Sequence, residues 1–478
     1  MQWIDFWDRQ NRYIRKEDVG AAYLEQMKER VAEDRDFYPT SHLVPPHGLL
    51  NDPNGLYQDQ AGWYHIFYQW FPLGTVHGLK HWYHLKTRDF LHYESLGPAM
   101  SPDSPFDAYG CYTGMALVEE DCVHLYYTGI RKADQLLPAT IHAVIADDQI
   151  KKTGIVDDID LTKTTLNFRD PFVFKRADTY YMITGAENTA HQGMLLLSKG
   201  TSATDFQPQG TLKLKDYPYG YMLECPNYFE TDAYGVLIFS PQGIQKIDPY
   251  DFQNVFSVVY AVGKPLDVES GVFEHDTFYE LDKGFDFYAP QVFADREGRM
   301  ILYGWLGNSK CEYPSDKFQW AHMLTLPRTL EVVGDRLRQW PLPELAAQRR
   351  KSAGKSLSKA FELVFALTDT VEIILENQHG EKLIFSGDQT EYCLDRSQTT
   401  HLYNQPYGQT RRAIRQVKRA HEARLFVDHS SIEIFADEGL TVFTGRFFLT
   451  GDWTLTVNGT SAEYYELQPL VLDIKKEY

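Results

Sequence analysis

The stretch Leu49–Trp70 reads LLNDPNGLYQDQAGWYHIFYQW and combines two turn-forming clusters with an aromatic strand. The first cluster is NDPNG at residues 51–55, and Asp-Pro and Asn-Gly pairs are ordinary turn signals. The segment from Tyr64 onward is rich in aromatic residues, which is typical of a strand. This unit predicts β-structure, and it holds one carboxylate, Asp52, in the turn that comes before the strand.

The same kind of strand recurs along the chain. YHIFYQW begins at Tyr64, and similar segments follow: VHLYYTG at Val123, YYMITGA at Tyr180, GVLIFSP at Gly235 and MILYGWL at Met300. The intervals are 59, 57, 55 and 65 residues. A period of about 40–60 residues with several short strands per repeat is the signature of propeller blades. The pattern therefore predicts an all-β protein built on a five-bladed β-propeller.

Each copy of the strand follows a polar or small-residue cluster that lies 10 to 12 residues upstream. The clusters are NDPNG with Asp52, CYTG with Thr113, FRDP with Asp170, ECPN with Glu224 and YAPQ with Tyr288. Equivalent positions in successive blades lie around one axis, so we expect these side chains to converge at one end of the central channel. Carboxylates that are close together raise each other's pKa values, and such groups concentrate at functional sites.

The sequence predicts three parts. Residues 1–36 form an N-terminal extension whose Ala, Leu and Met spacing indicates a short amphipathic helix. The propeller is expected to occupy residues 37–345. A Lys/Ser-rich linker around residues 344–359 then precedes strands that alternate apolar and polar residues, such as ARLFVDHSSIEIFAD at 423–437. This alternation predicts a C-terminal β-sandwich over residues 346–478.

Composition and charge exclude several classes of function. The formal net charge of −19 argues against nucleic acid or an anionic membrane as a partner. No stretch of about 18 apolar residues is present, so no membrane span is expected, and the charged N-terminus lacks the apolar core of a signal peptide. The five cysteines are scattered without a CxxC pair, which predicts neither a zinc site nor a disulfide framework. We therefore expect a cytoplasmic protein with no metal.

Two carboxylates across a pocket, surrounded by aromatic and hydrogen-bonding residues, are the equipment for breaking a glycosidic bond. One ionised carboxylate attacks or stabilises the sugar cation, and one protonated carboxyl group donates to the departing oxygen. Faces for sugar rings are expected from Trp82, Trp305 and Tyr288, and hydroxyl-binding groups from Asn51, Gln69 and Arg169. The pattern predicts a hydrolase that acts on a small sugar.

The motifs LLNDPNG, FYQ, FRDP and ECPN, in this order, resemble the signature of glycoside hydrolase family 32, the retaining fructosidases. FDFYAPQ, LYGWLG and LFVDHSSIEIFADEGLTVFTGR resemble further parts of that family. The resemblance implies a five-bladed propeller followed by a sandwich, without metal or organic cofactor. It assigns Asp52 as the nucleophile, Glu224 as the general acid/base and Asp170 as the carboxylate that stabilises the transition state. The substrate-pocket positions that match are Asn51, Gln69, Trp82, Thr113 and Arg169.

Within the family, the length and the stretch FPLGTVHGLKHWYHL most resemble the bacterial intracellular members that hydrolyse sucrose 6-phosphate. The resemblance therefore implies cleavage of the terminal fructosyl residue of sucrose 6-phosphate, sucrose or both. The stretch holds a basic cluster in an acidic chain. From this cluster we expect His77, Lys80 and His81 to attract the phosphate on the leaving-group side.

Several alternatives stay open. An invertase or a fructo-oligosaccharide hydrolase of the same family would show no preference for the phosphorylated sugar. An arabinosidase-type hydrolase shares the propeller and a carboxylate triad, but not this order of motifs. A non-catalytic sugar-binding propeller would normally have lost Asp52 or Glu224, and both are present. The sandwich and the N-terminal helix offer surfaces for a dimer, so a monomer and a homodimer are both compatible with the sequence.

Overall fold

The computed structural model describes residues 3–476 except positions 5, 9, 121, 147–148, 216–218 and 352–356. Part of the Lys/Ser-rich linker predicted around residues 344–359 therefore lies outside the described residues. Strands dominate the rest of the chain, and helices are few and short. Within the described residues, no helix combines the length and the apolar character that crossing a membrane would require.

Residues 48–341 form successive antiparallel sheets. In the described part of this region there are five. Their strands are β1 (Gly48–Gln58), β2 (Tyr64–Phe71), β3 (His81–Thr87) and β4 (His92–Met100); β5 (Cys111–Glu119), β6 (Cys122–Lys132), β7 (Leu136–Ala146) and β8 (Gln149–Asp158); β9 (Thr164–Arg176), β10 (Thr179–Asn188), β11 (Gly193–Ser202) and β12 (Asp205–Thr211); β13 (Met222–Glu230), β14 (Gly235–Gln242), β15 (Val259–Gly263) and β16 (Tyr279–Glu280); and β17 (Tyr288–Ala294), β18 (Met300–Leu306), β20 (Met323–Leu324), β21 (Arg328–Val333) and β22 (Arg336–Pro341). The two-residue strand β19 (Trp320–Ala321) precedes β20 in the chain but belongs to the first sheet. The repeated sequence segments are the second strands of these sheets.

The first strands of the sheets, β1, β5, β9, β13 and β17, lie around one axis. Each of them contacts the first strand of the next sheet, and β17 contacts β1, so that the ring closes. The closure is reinforced because β19 adds to β1 in parallel while β20 pairs with β18 of the last sheet. This arrangement is a β-propeller, as the repeats predicted.

A β-sandwich follows the propeller, as predicted. Its strands are β23 (Arg349–Arg350), β24 (Ala360–Leu367), β25 (Val371–Asn377), β26 (Lys382–Gly387), β27 (Glu391–Gln398), β28 (Thr410–Ile414), β29 (Ala420–Asp428), β30 (Ser431–Ala436), β31 (Thr441–Arg446), β32 (Trp453–Asn458) and β33 (Ala462–Leu467). The two sheets have the strand orders 23-33-24-29-30-31 and 28-27-26-25-32, and the side chains between them form one apolar core. The last strand, β34 (Val471–Ile474), returns to the propeller and pairs in parallel with β4.

The N-terminal segment packs on the first sheet of the propeller. The predicted helix is two helices, α1 (Lys16–Val19) and α2 (Ala21–Glu33), which are separated at Gly20, whose φ of 77° suits a residue without a side chain. Val19, Tyr23 and Met27 are buried against the first sheet and its loops. Short 3₁₀ turns lie at Asn11–Tyr13, Asp316–Phe318, Pro343–Gln348, Gln405–Tyr407 and Asp437–Gly439.

A buried network of charges joins the propeller to the sandwich. Arg328 of the propeller donates to Asp282 at 3.1 Å and to Glu433 of the sandwich at 2.6 Å. His42 lies between Asp428 and Glu433, at 2.8 and 3.1 Å. Burial opposes a charged imidazole, but the two carboxylates outweigh it and raise the pKa of His42 to about 9. Removing one partner of such a network leaves an uncompensated buried charge, so the two domains are tied together here.

Candidate active site

A β-bulge interrupts the first strand of every sheet in the ring. Two residues of the bulged strand lie opposite one residue of the second strand at 51–52, 112–113, 170–171, 225–226 and 289–290. Proline occupies or follows the bulge in four of these strands, as NDP, RDP, ECP and YAP, where its missing N–H costs no ladder hydrogen bond. Asp170, Cys225 and Ala289 have positive φ angles of 65°, 49° and 45°. Bulges of this kind redirect side chains, and here they turn polar groups toward the axis.

One cavity of about 410 Å³ opens at this end of the ring. It is lined by the five side chains that the repeat singled out, Asp52, Thr113, Asp170, Glu224 and Tyr288. Asn51, Gln69, Arg169, Trp305, His77 and Lys80 line it as well. The structure therefore brings together all but two of the residues proposed for the site from the sequence.

Asp52 is held by donors on both carboxylate oxygens. Asn51 Nδ2 donates to Oδ1 at 3.0 Å, while Gln69 Nε2 at 3.2 Å and the Thr113 hydroxyl donate to Oδ2. Burial raises the pKa of Asp52, the Thr113 and Asn51 hydrogen bonds oppose that rise, and the nearby charge of Glu224 adds to it. The donors fix the orientation of the carboxylate, and the depth of the site removes its competing water.

Glu224 lies in a ring of donors at the edge of β13. Arg169 Nε and a second guanidinium nitrogen each lie 2.7 Å from Oε1. Gln242 Nε2 and the Tyr288 hydroxyl donate to Oε2 at 2.6 and 2.5 Å. Burial disfavours the guanidinium charge, but the carboxylates of Glu224 and Asp170 raise the pKa of Arg169 above its ordinary value. Arg169 thus positions Glu224 directly.

Asp170, the third carboxylate, is held mainly by backbone contacts. Its backbone N–H donates to Thr128 Oγ1 at 2.8 Å, and its Oδ2 accepts from the Cys225 N–H at 3.1 Å. Burial raises the pKa of Asp170 to about 7; Arg169 counteracts this, and Glu224 and Asp52 reinforce it. Keeping an ionisable group in this place costs stability, which is a common feature of functional sites.

We expect Asp170→Asn to stabilise the protein increasingly as pH rises. The unfolded chain releases this proton near the ordinary pKa of 3.8, whereas the folded chain keeps it until about pH 7. Stability from this group is therefore full below pH 3.8 and falls as pH rises toward 7, and asparagine abolishes the fall. In urea unfolding, the free energy of unfolding of the variant minus that of the parent should be about 1–3 kcal/mol larger at pH 8 than at pH 5.

The matched control for this pH dependence is Asp178→Asn. Asp178 is exposed in the turn that follows the same strand, β9. Its substitution should give the same small change in unfolding free energy at both pH values. An Asp170→Asn variant whose gain is equal at both pH values, or larger at pH 5, would contradict a proton held on Asp170.

Lys80 lies deep in the cavity and not at its mouth. It is 4% exposed, and its ammonium donates to Asn51 Oδ1 at 2.5 Å and to His77 Nδ1 at 3.0 Å. Burial lowers the pKa of Lys80 to about 7, although Asp52 favours its charge. Lys80 fixes the amide of Asn51 and, through it, Asp52. Lys80 therefore lines the cavity with its ammonium already engaged by Asn51 and His77, and its binding of phosphate stays a prediction.

Two other predicted site residues, Trp82 and His81, do not line the cavity, so these predictions are wrong. Trp82 is fully buried, donates to the Tyr112 carbonyl at 3.0 Å and packs against Phe67 and Tyr127, so it is a core residue and offers no face to a sugar. His81 is 4% exposed and bonds to the Leu79 carbonyl at 3.0 Å, on a different side of the strand from the cavity. Both belong to β3, which is separated from the axis by β1 and β2.

Several lining residues were not predicted. They are Arg12, Tyr13, Tyr112, Leu136, Pro138, Leu166, Asn167, Gln242 and Ser309, among others. Tyr112 lies within the CYTG cluster, Asn167 directly precedes FRDP, and Gln242 ends the repeated strand of the fourth sheet, so taking every polar residue around each repeat would have found them. Arg12 and Tyr13 precede the propeller and carry no such signal.

Comparison with protein families identifies residues 42–469. The sequence profile of the glycosyl hydrolases family 32 N-terminal domain matches residues 42–341, and that of the family 32 C-terminal domain matches residues 338–469. A sucrose-6-phosphate hydrolase from Vibrio alginolyticus is 40% identical over 464 residues, which cover 95% of each chain. The enzyme of the same name from Staphylococcus xylosus is 35% identical and covers 95% of this chain and 96% of that protein.

Solved structures of enzymes with related sequences superpose on nearly the whole chain. A sucrose-6-phosphate hydrolase from Lactobacillus gasseri superposes with a TM-score of 0.90 and 29% identity, over 98% of this chain and 100% of that chain. A GH32 β-fructofuranosidase from Bombyx mori superposes with a TM-score of 0.84 and 28% identity, over 96% and 100% of the two chains. With both domains matched in order and the carboxylate cavity in place, the chain belongs to glycosyl hydrolase family 32.

Proposed function

We propose that this protein is a retaining β-fructofuranosidase that cleaves sucrose 6-phosphate into fructose and glucose 6-phosphate, and that it accepts sucrose less well. The observation that carries the proposal is the set of three carboxylates, Asp52, Asp170 and Glu224, on the bulged strands of one cavity, two of them with strong hydrogen-bond donors. The names of the most similar relatives support the phosphorylated substrate.

Asp52 is the proposed nucleophile. Its carboxylate attacks the anomeric carbon of the fructosyl unit, a bond from Asp52 oxygen to that carbon forms, and the bond from the carbon to the glucosyl oxygen breaks. The donors Asn51, Gln69 and Thr113 hold the carboxylate in one orientation. Less conformational entropy is therefore lost when the attack geometry forms.

Glu224 is the proposed general acid and base. In the first step it gives a proton to the departing glucosyl oxygen, and in the second it takes a proton from the water that releases fructose from Asp52. Its positions are fixed by Arg169 on one oxygen and by Gln242 and Tyr288 on the other. A retaining pair requires the carboxyl groups of Asp52 and Glu224 to lie about 5–5.5 Å apart when substrate is bound.

Asp170 is proposed to bind fructosyl hydroxyls and to stabilise the transition state. An ionised Asp170 beside an oxocarbenium-like sugar forms charge-assisted hydrogen bonds that strengthen as positive charge develops. Asn51, Gln69, Thr113, Arg169, Tyr288 and Trp305 complete the proposed substrate pocket. Of the three aromatic residues predicted to contact sugar rings, Trp305 and Tyr288 line this pocket.

The parent enzyme should show a higher kcat/KM for sucrose 6-phosphate than for sucrose. The two rates are measured side by side with fructose release as the readout. Equal values would favour an invertase or a fructo-oligosaccharide hydrolase, which inulin-type oligosaccharides then test. Release of arabinose from arabinosides without release of fructose would point to the arabinosidase-type alternative, and no hydrolysis of any sugar would point to a binding protein.

We further propose the remaining features that the sequence suggested. The N-terminal extension, propeller and sandwich occupy residues 1–36, 37–345 and 346–478, and the overlap of the two family profiles at 338–341 supports the last boundary. The enzyme works in the cytoplasm, where its phosphorylated substrate is retained, as a monomer or a homodimer. Size-exclusion chromatography with light scattering distinguishes these two states.

A further inference from the structure

The acidic groups of the cavity disfavour a phosphorylated leaving group. A sugar phosphate carries a charge of about −1.5 to −2 near neutral pH. The cavity already holds Asp52, Asp170 and Glu224, in a chain of net charge −19, so an incoming phosphate is repelled unless a cation faces it. Two lining cations are already engaged, because Arg169 pairs with Glu224 and Lys80 donates to Asn51. The phosphate needs a different partner.

Arg12 is a cation of this cavity whose side chain is still available. It lines the cavity from the N-terminal segment, and its guanidinium lies 5.3 Å from the centroid of the Tyr13 ring. Its Nε is buried without a hydrogen-bond partner, and no ion pair of Arg12 is found among the residues that the structure describes. A buried N–H without an acceptor is costly, and such orphans mark places where a ligand atom belongs.

A second orphaned donor lines the same cavity. Burial and the charge of Lys80 hold the pKa of His77 well below its ordinary value, so the ring is neutral. Because Lys80 donates to Nδ1, the neutral ring carries its proton on Nε2, which is buried without a partner. The charges of Lys310 and Arg12 both act on this ring. Two unused N–H groups therefore line the same cavity, and the exposed Lys310 directly follows the lining residue Ser309.

The N-terminal segment is anchored on both sides of Arg12. Trp7 packs its ring edge-on against Phe71 at 5.1 Å, and its indole covers Gly74, where any side chain would collide with it. Arg15 donates to the carbonyls of Pro102 and Ala108 at 2.8 and 3.1 Å. The Leu79 N–H donates to the carbonyl of Arg12 itself at 2.8 Å. The backbone at Arg12 is thus held to the propeller by contacts that do not involve its own side chain.

We propose that Arg12, with His77 and Lys310 beside it, binds the 6-phosphate of the glucosyl unit and so sets the preference for the phosphorylated substrate. This inference rests on the proposed function. The family profile begins at residue 42, so Arg12 comes from a segment outside it. In this proposal the N-terminal segment, which supplies Arg12 and Tyr13 to the cavity, is a specificity element that completes the propeller site.

Arg12→Gln tests the site through the difference between two substrates. A charge-assisted contact to phosphate corresponds to about 10- to 150-fold in affinity. We expect kcat/KM for sucrose 6-phosphate to fall by about 10- to 150-fold. Any fall in kcat/KM for sucrose should be at least about tenfold smaller than the fall for sucrose 6-phosphate. Because the interaction is ionic, added salt should lower the parent's preference for the phosphorylated sugar and affect the variant less. Lys310→Gln should give the same pattern with a smaller size, since Lys310 is exposed.

The matched control is Arg88→Gln. Arg88 also rests on an aromatic ring, 4.6 Å from Trp63, but it lies outside the residues that line the cavity. Its substitution should change both substrates equally and little. If the parent prefers sucrose 6-phosphate and Arg12→Gln keeps that preference, the site is wrong and the proposed function stands. If the parent shows no preference, the phosphorylated substrate and the site both fail.

Ligand binding to the intact protein checks the assignment without turnover. Glucose 6-phosphate should raise the melting temperature of the parent more than the same concentration of glucose. Arg12→Gln should remove this difference, and Arg12→Lys should restore part of it, because lysine keeps the charge but not the fork of donors. If the parent and both variants show the same difference between the two melting-temperature shifts, Arg12 does not bind the phosphate. This result would overturn the site even if Arg12→Gln lowers catalysis, because that loss would then come from a disturbed fold.

Discussion

Replacing Asp52 with asparagine is expected to lower kcat for sucrose and sucrose 6-phosphate by at least about 10⁴-fold. The amide cannot form the covalent bond to the fructosyl carbon, so the two-step route is lost. The fold should survive, because the carbonyl oxygen of asparagine can still accept from Thr113 and Gln69, and burial already disfavours a charge at this position. Steady-state kinetics and circular dichroism on the purified variant measure both effects.

Asp59→Asn is the control for this substitution. Asp59 belongs to the turn after β1, and its side chain contacts the Trp63 N–H at 2.8 Å and His65 at 3.3 Å, away from the cavity. The asparagine keeps an acceptor there, so activity should stay within about twofold of the parent. Asp52→Ala removes the carboxylate independently. If Asp52→Asn and Asp52→Ala both keep substantial and similar turnover, another group attacks the sugar.

Replacing Glu224 with glutamine should give the second largest effect, and it should depend on the leaving group. Loss of a positioned proton donor costs about 10²–10⁴-fold. The departing oxygen of sucrose needs that proton, whereas the nitrophenolate of a nitrophenyl fructoside leaves without one. The fructosylation rate for sucrose should therefore fall far more than the rate for the activated fructoside. Burst kinetics with the activated fructoside should reveal slow release of fructose, because the second step has lost its base.

The control for Glu224 lies on the same strand. Glu230 ends β13 and pairs with Arg176, as Glu224 pairs with Arg169, but at the outer end of the strand. Glu230→Gln should leave both substrates nearly unaffected. Equal losses of Glu224→Gln on sucrose and on the activated fructoside would mean that Glu224 supports binding or structure and is not the proton donor.

The fold was predictable because the second strands of the sheets have similar sequences at a regular spacing. Those strands are buried and rich in aromatic and β-branched residues, so their spacing is visible without knowledge of the outer strands. The convergence of Asp52, Asp170 and Glu224 followed from the same repeat. The bulges explain why these positions are polar in otherwise apolar strands.

The errors came from residues whose surroundings depend on strand order. Trp82 and His81 are adjacent in sequence to Lys80, yet Lys80 enters the cavity and they do not, because β3 begins at His81 and turns away from the axis behind β1 and β2. The role of Arg12 was equally hidden, since it depends on how Trp7 and Arg15 dock on the propeller. Long-range packing of this kind has no local signal in a single sequence.

The stereochemistry of the first sugar released distinguishes a double displacement through Asp52 from a single displacement by water. A nucleophilic Asp52 and a water activated by Glu224 invert the anomeric carbon twice, so we expect fructose to appear first as the β-furanose, before it equilibrates to other forms. Proton and carbon NMR during rapid hydrolysis of sucrose 6-phosphate by the intact enzyme distinguishes the two anomers. Initial release of the α-furanose would mean a single displacement by water, and it would contradict the roles proposed for both carboxylates.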